Sequence, residues 1–110
     1  MEVTVTIIDS LTKVLGISGR LNALSSPDLK AEIKKTLATG AQNLIIDLRG
    51  TDFVDSSGLS ALVSGLKQTR ESGGRLRLAG LNDQTLTVFK LTMLDRIFEI
   101  FPDVDHALGQ

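Results

Sequence analysis

Val3, Val5 and Ile7 alternate with Glu2, Thr4 and Thr6, a period of two rich in β-branched residues that predicts a half-buried strand. A turn at Asp9-Ser10 separates it from a second run, Lys13 to Gly19, so the two strands are expected to pair as a hairpin. Ser26-Pro27 then reads as a helix start, with Ser26 as N-cap and Pro27 as the first helical residue. Leu29, Ile33 and Leu37 mark its buried stripe, and Gly40 ends it. Asn43 to Leu48 is a nearly unbroken apolar run of strand length, the pattern of a central strand covered on both faces. Leu59, Leu62, Val63 and Leu66 recur at helical spacing and define a second helix. Between them, Phe53-Val54-Asp55-Ser56-Ser57-Gly58 is expected to carry a buried strand over into that helix.

The remainder repeats the alternation. Glu71 to Gly74 forms a turn and Arg75 to Ala79 a strand. Asn82-Asp83 caps a third helix with Leu86, Phe89 and Met93 buried and Val88 and Leu91 beside them. A short apolar run, Ile97 to Phe101, leads to Pro102, and Val104 to Leu108 makes a final helical turn and a half. Strands alternating with helices after an initial hairpin predict right-handed β-α-β crossovers. The expected architecture is a single α/β domain over residues 1–110, with a mixed, mostly parallel sheet, an antiparallel N-terminal edge strand and about four flanking helices.

Composition narrows the function. The 110 residues carry a formal net charge of −1, which gives no field to steer the chain toward nucleic acid or an anionic membrane. Four phenylalanines are the only aromatics, so stacking platforms for bases or sugars are lacking. Without cysteine there are no disulfides or thiolate metal sites, which fits a reducing compartment. No basic head and apolar stretch marks a signal peptide, and no apolar run reaches the roughly 18 residues of a membrane helix. A cytoplasmic protein that inserts into no membrane is expected.

The start of the second helix is the candidate site. Unpaired backbone N–H groups and the positive end of the helix dipole favour a negative group there. Asp and Ser at such a position ordinarily cap the helix. The element is no nucleophile elbow, because Val54 and Asp55 occupy the positions upstream of the serines where a glycine is needed. The single histidine, His106, lies in the terminal helical turn, where it reads as a solvated surface residue and leaves a serine without a base. Neither glycine-rich phosphate-loop pattern occurs. Asp47, Asp52 and Asp55 read as solvated carboxylates, since no further oxygen ligand stands at a fixed spacing from Asp52 and Asp55. No enzyme, metal or cofactor is predicted.

Phe53-x-Asp55-Ser56-Ser57-Gly58-Leu59-x-x-Leu62 resembles the signature of STAS domains, specifically the stand-alone anti-anti-sigma factors of bacteria. Gly19-x-Leu21-Asn22 resembles a second element of that family, in which an acid usually stands where this chain has Asn22. The replacement removes one negative charge and keeps the size. The resemblance implies that Ser56 is phosphorylated by a partner kinase. It also implies that Asn22, Asp55, Ser56, Ser57 and Gly58 dock against an anti-sigma factor that is itself a serine kinase, and that a serine phosphatase resets the switch. Ser60, one turn beyond Ser56 on the same side of the helix, is expected to extend the contact. A monomer or weak dimer is expected. The other implied use of the fold is as an accessory or regulatory subunit of a membrane transporter.

Overall fold

The computed structural model describes residues 1–109. Its elements are β1 (Glu2–Ile7), β2 (Thr12–Leu21), α1 (Ser26–Ala38), β3 (Asn43–Val54), α2 (Ser56–Glu71), β4 (Arg75–Ala79), α3 (Asp83–Leu91), a single 3-10 turn (Leu94–Arg96), β5 (Glu99–Phe101) and α4 (Val104–Ala107). The five strands lie in the order β1-β2-β3-β4-β5, with β1 antiparallel to β2 and all later pairs parallel. This is the mixed α/β architecture that the alternation of patterns predicts.

Strand order determines where the helices go. Each parallel strand is added next to the one before it, and right-handed crossovers moving steadily one way put every connecting helix on the same side of the sheet. The main core lies on that side, where Leu15, Ile17, Leu44, Ile46, Leu48, Leu76 and Leu78 meet Leu29, Ile33, Leu62 and Phe89. Phe89 and Phe98 close its far end edge-to-face, with ring centroids 5.6 Å apart. The opposite face carries a small cluster, Val14, Ile45 and Ala79, covered by Ala107 of α4. Leu44, Ile45 and Ile46 are consequently fully buried, as the central-strand pattern predicts.

Several expectations are corrected. β1 forms and pairs as predicted, yet it is not half-buried: Val3 alone is partly covered, while Val5 is 43% and Ile7 68% exposed. Its apolar side chains share the face of Leu15 and Ile17, but no helix extends over the sheet edge to cover them. In α2 the buried residues are Gly58, Ala61, Leu62, Gly65, Leu66 and Thr69, so the stripe is turned from the predicted one and Val63 is exposed. The reason is close packing: a Cβ on Gly65 would lie 2.6 Å from Ile33 Cδ1. In α1 the N-cap position belongs to Ser25, which places Ser26 and Pro27 one position further in than expected. Met93 lies beyond the end of α3 with φ at +61° and is exposed, so it is no core residue. β4 accompanies β3 only as far as Asp47↔Ala79, leaving the C-terminal part of β3 paired with β2 alone and its end, including Asp52 and Phe53, exposed.

Candidate functional site

The parallel register Leu21↔Val54 brings the ends of β2 and β3 side by side, so the chain enters α1 and α2 from neighbouring points. At the second point Asp55 is the N-cap. Its backbone is extended and its Oδ1 accepts the Gly58 amide at 3.0 Å, while its own amide donates to the Leu21 carbonyl at 3.1 Å. Capping therefore falls to the aspartate, and both serines are free of that task. Ser56 is the first helical residue and is exposed; Ser57 is half-buried. Ser60, one turn further, is exposed, and Ser64 on the following turn is half-buried.

Gly58 does not belong to the exposed face. It is buried, and a Cβ there would come within 2.6 Å of the Leu21 carbonyl oxygen and 2.9 Å of Val54 Cγ1. Its missing side chain lets α2 lie close against the ends of both strands, which leaves no room at that position for a partner's backbone.

The loop entering α1 is held by its own polar groups. Asn22 Oδ1 accepts the amides of Leu24 at 3.0 Å and Ser25 at 3.2 Å. Ser25 Oγ donates to the Arg20 carbonyl at 2.7 Å and accepts the Asn22 amide at 2.9 Å. Asn22 thus turns its carbonyl oxygen into the loop and is half-buried. What the loop presents outward is Leu24, 90% exposed.

Ser56, Ser57 and Ser60 line a shallow cleft of about 320 Å³ together with Ala23, Pro27 and Lys30 from the α1 side. Of the predicted residues the cleft gathers these three serines, with Asp55 and Asn22 supporting its walls from behind. Lys30 was not evident as a site residue from the chain alone, because its nearness to Ser56 depends on the β2-β3 pairing. Beyond Ser56 the exposed surface continues over Phe53, which is 45% exposed and carries the Arg20 guanidinium 5.4 Å above its ring. A second depression, between the end of β3 and α3, is lined by Asp52, Phe53, Gln84 and Val88. Among the described residues no group of three or more His, Asp or Glu is placed to hold a metal ion, and no helix is long and apolar enough to cross a membrane.

A sequential mixed sheet with its helices gathered mainly on one face, and a serine pair opening the second helix, define the chain's class: it belongs to the STAS domain family, whose model matches residues 2–107. Among its relatives, the anti-sigma-B factor antagonist of Bacillus subtilis is 30% identical over 86 residues, covering 78% of each chain. The anti-sigma-B factor antagonist of Listeria monocytogenes is 31% identical over 84 residues, covering 76% of this chain and 74% of its own. The crystal structure of an anti-sigma factor antagonist from Mycobacterium paratuberculosis superposes with a TM-score of 0.88 at 27% identity, covering 98% of this chain and 91% of that one.

Proposed function

We propose that this chain is an anti-sigma factor antagonist, a regulatory binding protein and not an enzyme, governed by phosphorylation of Ser56. In the unmodified state the face around the cleft binds an anti-sigma factor that is a serine kinase, and this binding frees the sigma factor. The kinase then phosphorylates Ser56, the complex dissociates, and a serine phosphatase restores the binding form. The observation that carries this reading is the exposed Ser56 hydroxyl at the first residue of α2, with the capping task taken by Asp55. The similarity to the anti-sigma-B factor antagonists supports the same partner class.

The electrostatics give the switch its direction. A phosphate adds about 1.5 to 2 negative charges. Placed at the start of α2, it gains about 0.3 to 1 kcal/mol from the helix dipole. Refolding is therefore not expected, and the effect acts at the interface. There a dianion loses hydration against a partner that already holds nucleotide phosphates. A loss of about 3 kcal/mol lowers affinity more than a hundredfold.

Binding assays with the cognate kinase test this directly. Ser56→Ala is expected to bind persistently and accept no phosphate, and Ser56→Asp to bind more than a hundredfold more weakly. Phosphopeptide mapping after incubation with kinase and ATP is expected to find the modification on Ser56 and not Ser57. If Ser56→Asp bound as tightly as the unmodified chain, charge gating at this residue would be refuted.

A further inference from the structure

The two edges of the sheet are built differently. β5 is three residues long, is followed directly by Pro102, and has α4 packed against it. Shortness, proline and a covering element are the usual protections against edge-to-edge pairing. β1 has none of them: it runs six residues in unbroken register with β2, without lysine, proline, glycine or a bulge. On the helix-bearing face of the sheet it leaves Val5 and Ile7 exposed beside the half-covered Val3.

The backbone of this edge is also ordered for pairing. The Ile8 amide donates to the Thr12 carbonyl at 3.0 Å, at the end of the β1-β2 ladder. Bonded and non-bonded pairs alternate along an antiparallel ladder, so the even-numbered residues of β1 bond β2. The N–H and C=O groups of Val3, Val5 and Ile7 then point away from β2, toward the open side. These are the residues whose apolar side chains are uncovered.

We infer that β1 is a self-association edge, which pairs antiparallel with β1 of a second copy about a two-fold axis at Val5. That register sets Val5 opposite Val5 and Val3 opposite Ile7, and each of these pairs exchanges two backbone bonds, about six in all. On one face the rows become Leu15, Val5, Val5 and Leu15 across the two copies, flanked by rows of Ile17, Val3, Ile7 and Lys13. On the other face Thr4 meets Thr6, a favourable cross-strand pair. The only ionisable side chain of the strand, Glu2, falls outside the three central pairs and meets no like charge there. The second copy is the occupant because the edge complements itself in hydrogen-bond phase, side-chain type and charge, as an isologous contact requires. The result is a continuous ten-stranded sheet. The copies' parallel strands run in opposite directions in it, so their Ser56 clefts face away from each other and both stay open.

Sedimentation equilibrium of the full chain from about 1 μM to about 1 mM, a span suited to a weak contact, is expected to rise from 11.8 kDa toward twice that mass. Val5→Lys sets two lysines directly opposite each other and is expected to weaken dimerisation more than tenfold, with an unchanged thermal midpoint because Val5 lies on the exposed edge. Register is read by disulfides, since the chain has no cysteine of its own. With oxidised glutathione, a mixture of Thr4→Cys and Thr6→Cys chains is expected to cross-link. Their Cα atoms lie about 4.5 Å apart in a non-bonded pair, within disulfide range. Either variant alone is expected to stay uncrosslinked, because like positions are offset by two residues along each strand. A wild-type chain that stays at 11.8 kDa throughout overturns the inference, and so does a Val5→Lys chain that dimerises equally well or a cross-link confined to the unmixed variants.

Discussion

Gly58→Ala tests the contact that fixes where α2 begins, and with it where Ser56 is presented. In the interior of an exposed helix this substitution gains about 1 kcal/mol of helix propensity. Here the new Cβ would stand 2.6 Å from the Leu21 carbonyl oxygen, about 0.7 Å inside an ordinary C···O contact. Leu21 Cγ and Val54 Cγ1, each at 2.9 Å, close the other directions of retreat. Overpacking of this kind costs about 1 to 3 kcal/mol. The carbonyl that must move is the one receiving the Asp55 amide, so part of a further 0.5 to 1.5 kcal/mol, by the usual estimate of about 1 for a hydrogen bond, is lost as well. The net expectation is destabilisation by about 1 to 3 kcal/mol. At roughly 4 °C per kcal/mol for a domain of 110 residues, the thermal midpoint falls by about 4 to 12 °C. Circular dichroism melting measures it, with Ser60→Ala on the exposed side of the next turn as the control, expected to melt within about 2 °C of wild type. A Gly58→Ala chain that melted at or above the wild-type temperature would refute the close approach of α2 to β2.

Two further substitutions probe separate parts of the molecule. Asn22→Asp keeps an acceptor for the Leu24 and Ser25 amides, so its stability is expected within about 0.5 kcal/mol of wild type, while the added charge alters the salt dependence of kinase binding. A drop of several kcal/mol in a denaturant titration would show that the loop depends on the asparagine N–H groups instead. Glu99 is hydrogen-bonded to Arg75, with Arg77 close by, and its carboxyl titrates below the usual glutamate range. A depressed carboxylate contributes stability that is present above the ordinary pKa and lost as pH falls through the lower folded value. Both partners are more than a third exposed, so the contribution is under about 1 kcal/mol. Urea midpoints are therefore expected to separate wild type from Glu99→Gln slightly at neutral pH, and the gap to close below about pH 4, sooner in high salt.

The order of strands and helices was legible because each element announces itself locally: a period of two in β1, an apolar run in β3, and a capping asparagine at Asn82 whose side chain accepts the Thr85 amide. The phase of α2 was not legible from apolar side chains. Its deepest contacts are made by Gly58, Ala61 and Gly65, where burial depends on having little or no side chain. The exposure of β1 escaped for the opposite reason, since an alternating pattern states which face a residue shares and not whether a helix reaches over it. At the candidate site, the Asp-Ser-Ser-Gly element marked where α2 begins. The assignment of its parts needed coordinates: Asp55 caps, Gly58 packs, and Ser56 stays free. Lys30 could not be joined to Ser56 by any local rule, because only the parallel pairing of β2 with β3 makes them neighbours.

That pairing has a consequence for how a charge on Ser56 must act. Adjacent parallel strands joined by same-side crossovers send α1 and α2 off from one end of the sheet, so both helices begin at the same rim. A phosphate on Ser56 would stand at the positive end of α2, across a cleft from the early part of α1 and from Lys30. The Asp55 carboxylate opposes it, but that group is already engaged with the Gly58 amide. On balance the domain's own field accepts the modification, so the phosphorylated chain is expected to melt no more than about 2 °C below the unmodified one. Under the proposed switch, the repulsion that would separate the complex then comes from the partner's side of the interface. It follows that partners lacking their bound nucleotide should discriminate less between the two forms, and titration of phosphorylated and unmodified chain against the kinase with and without nucleotide measures this. Equal discrimination in both conditions would mean that the switch works through contacts other than charge against charge.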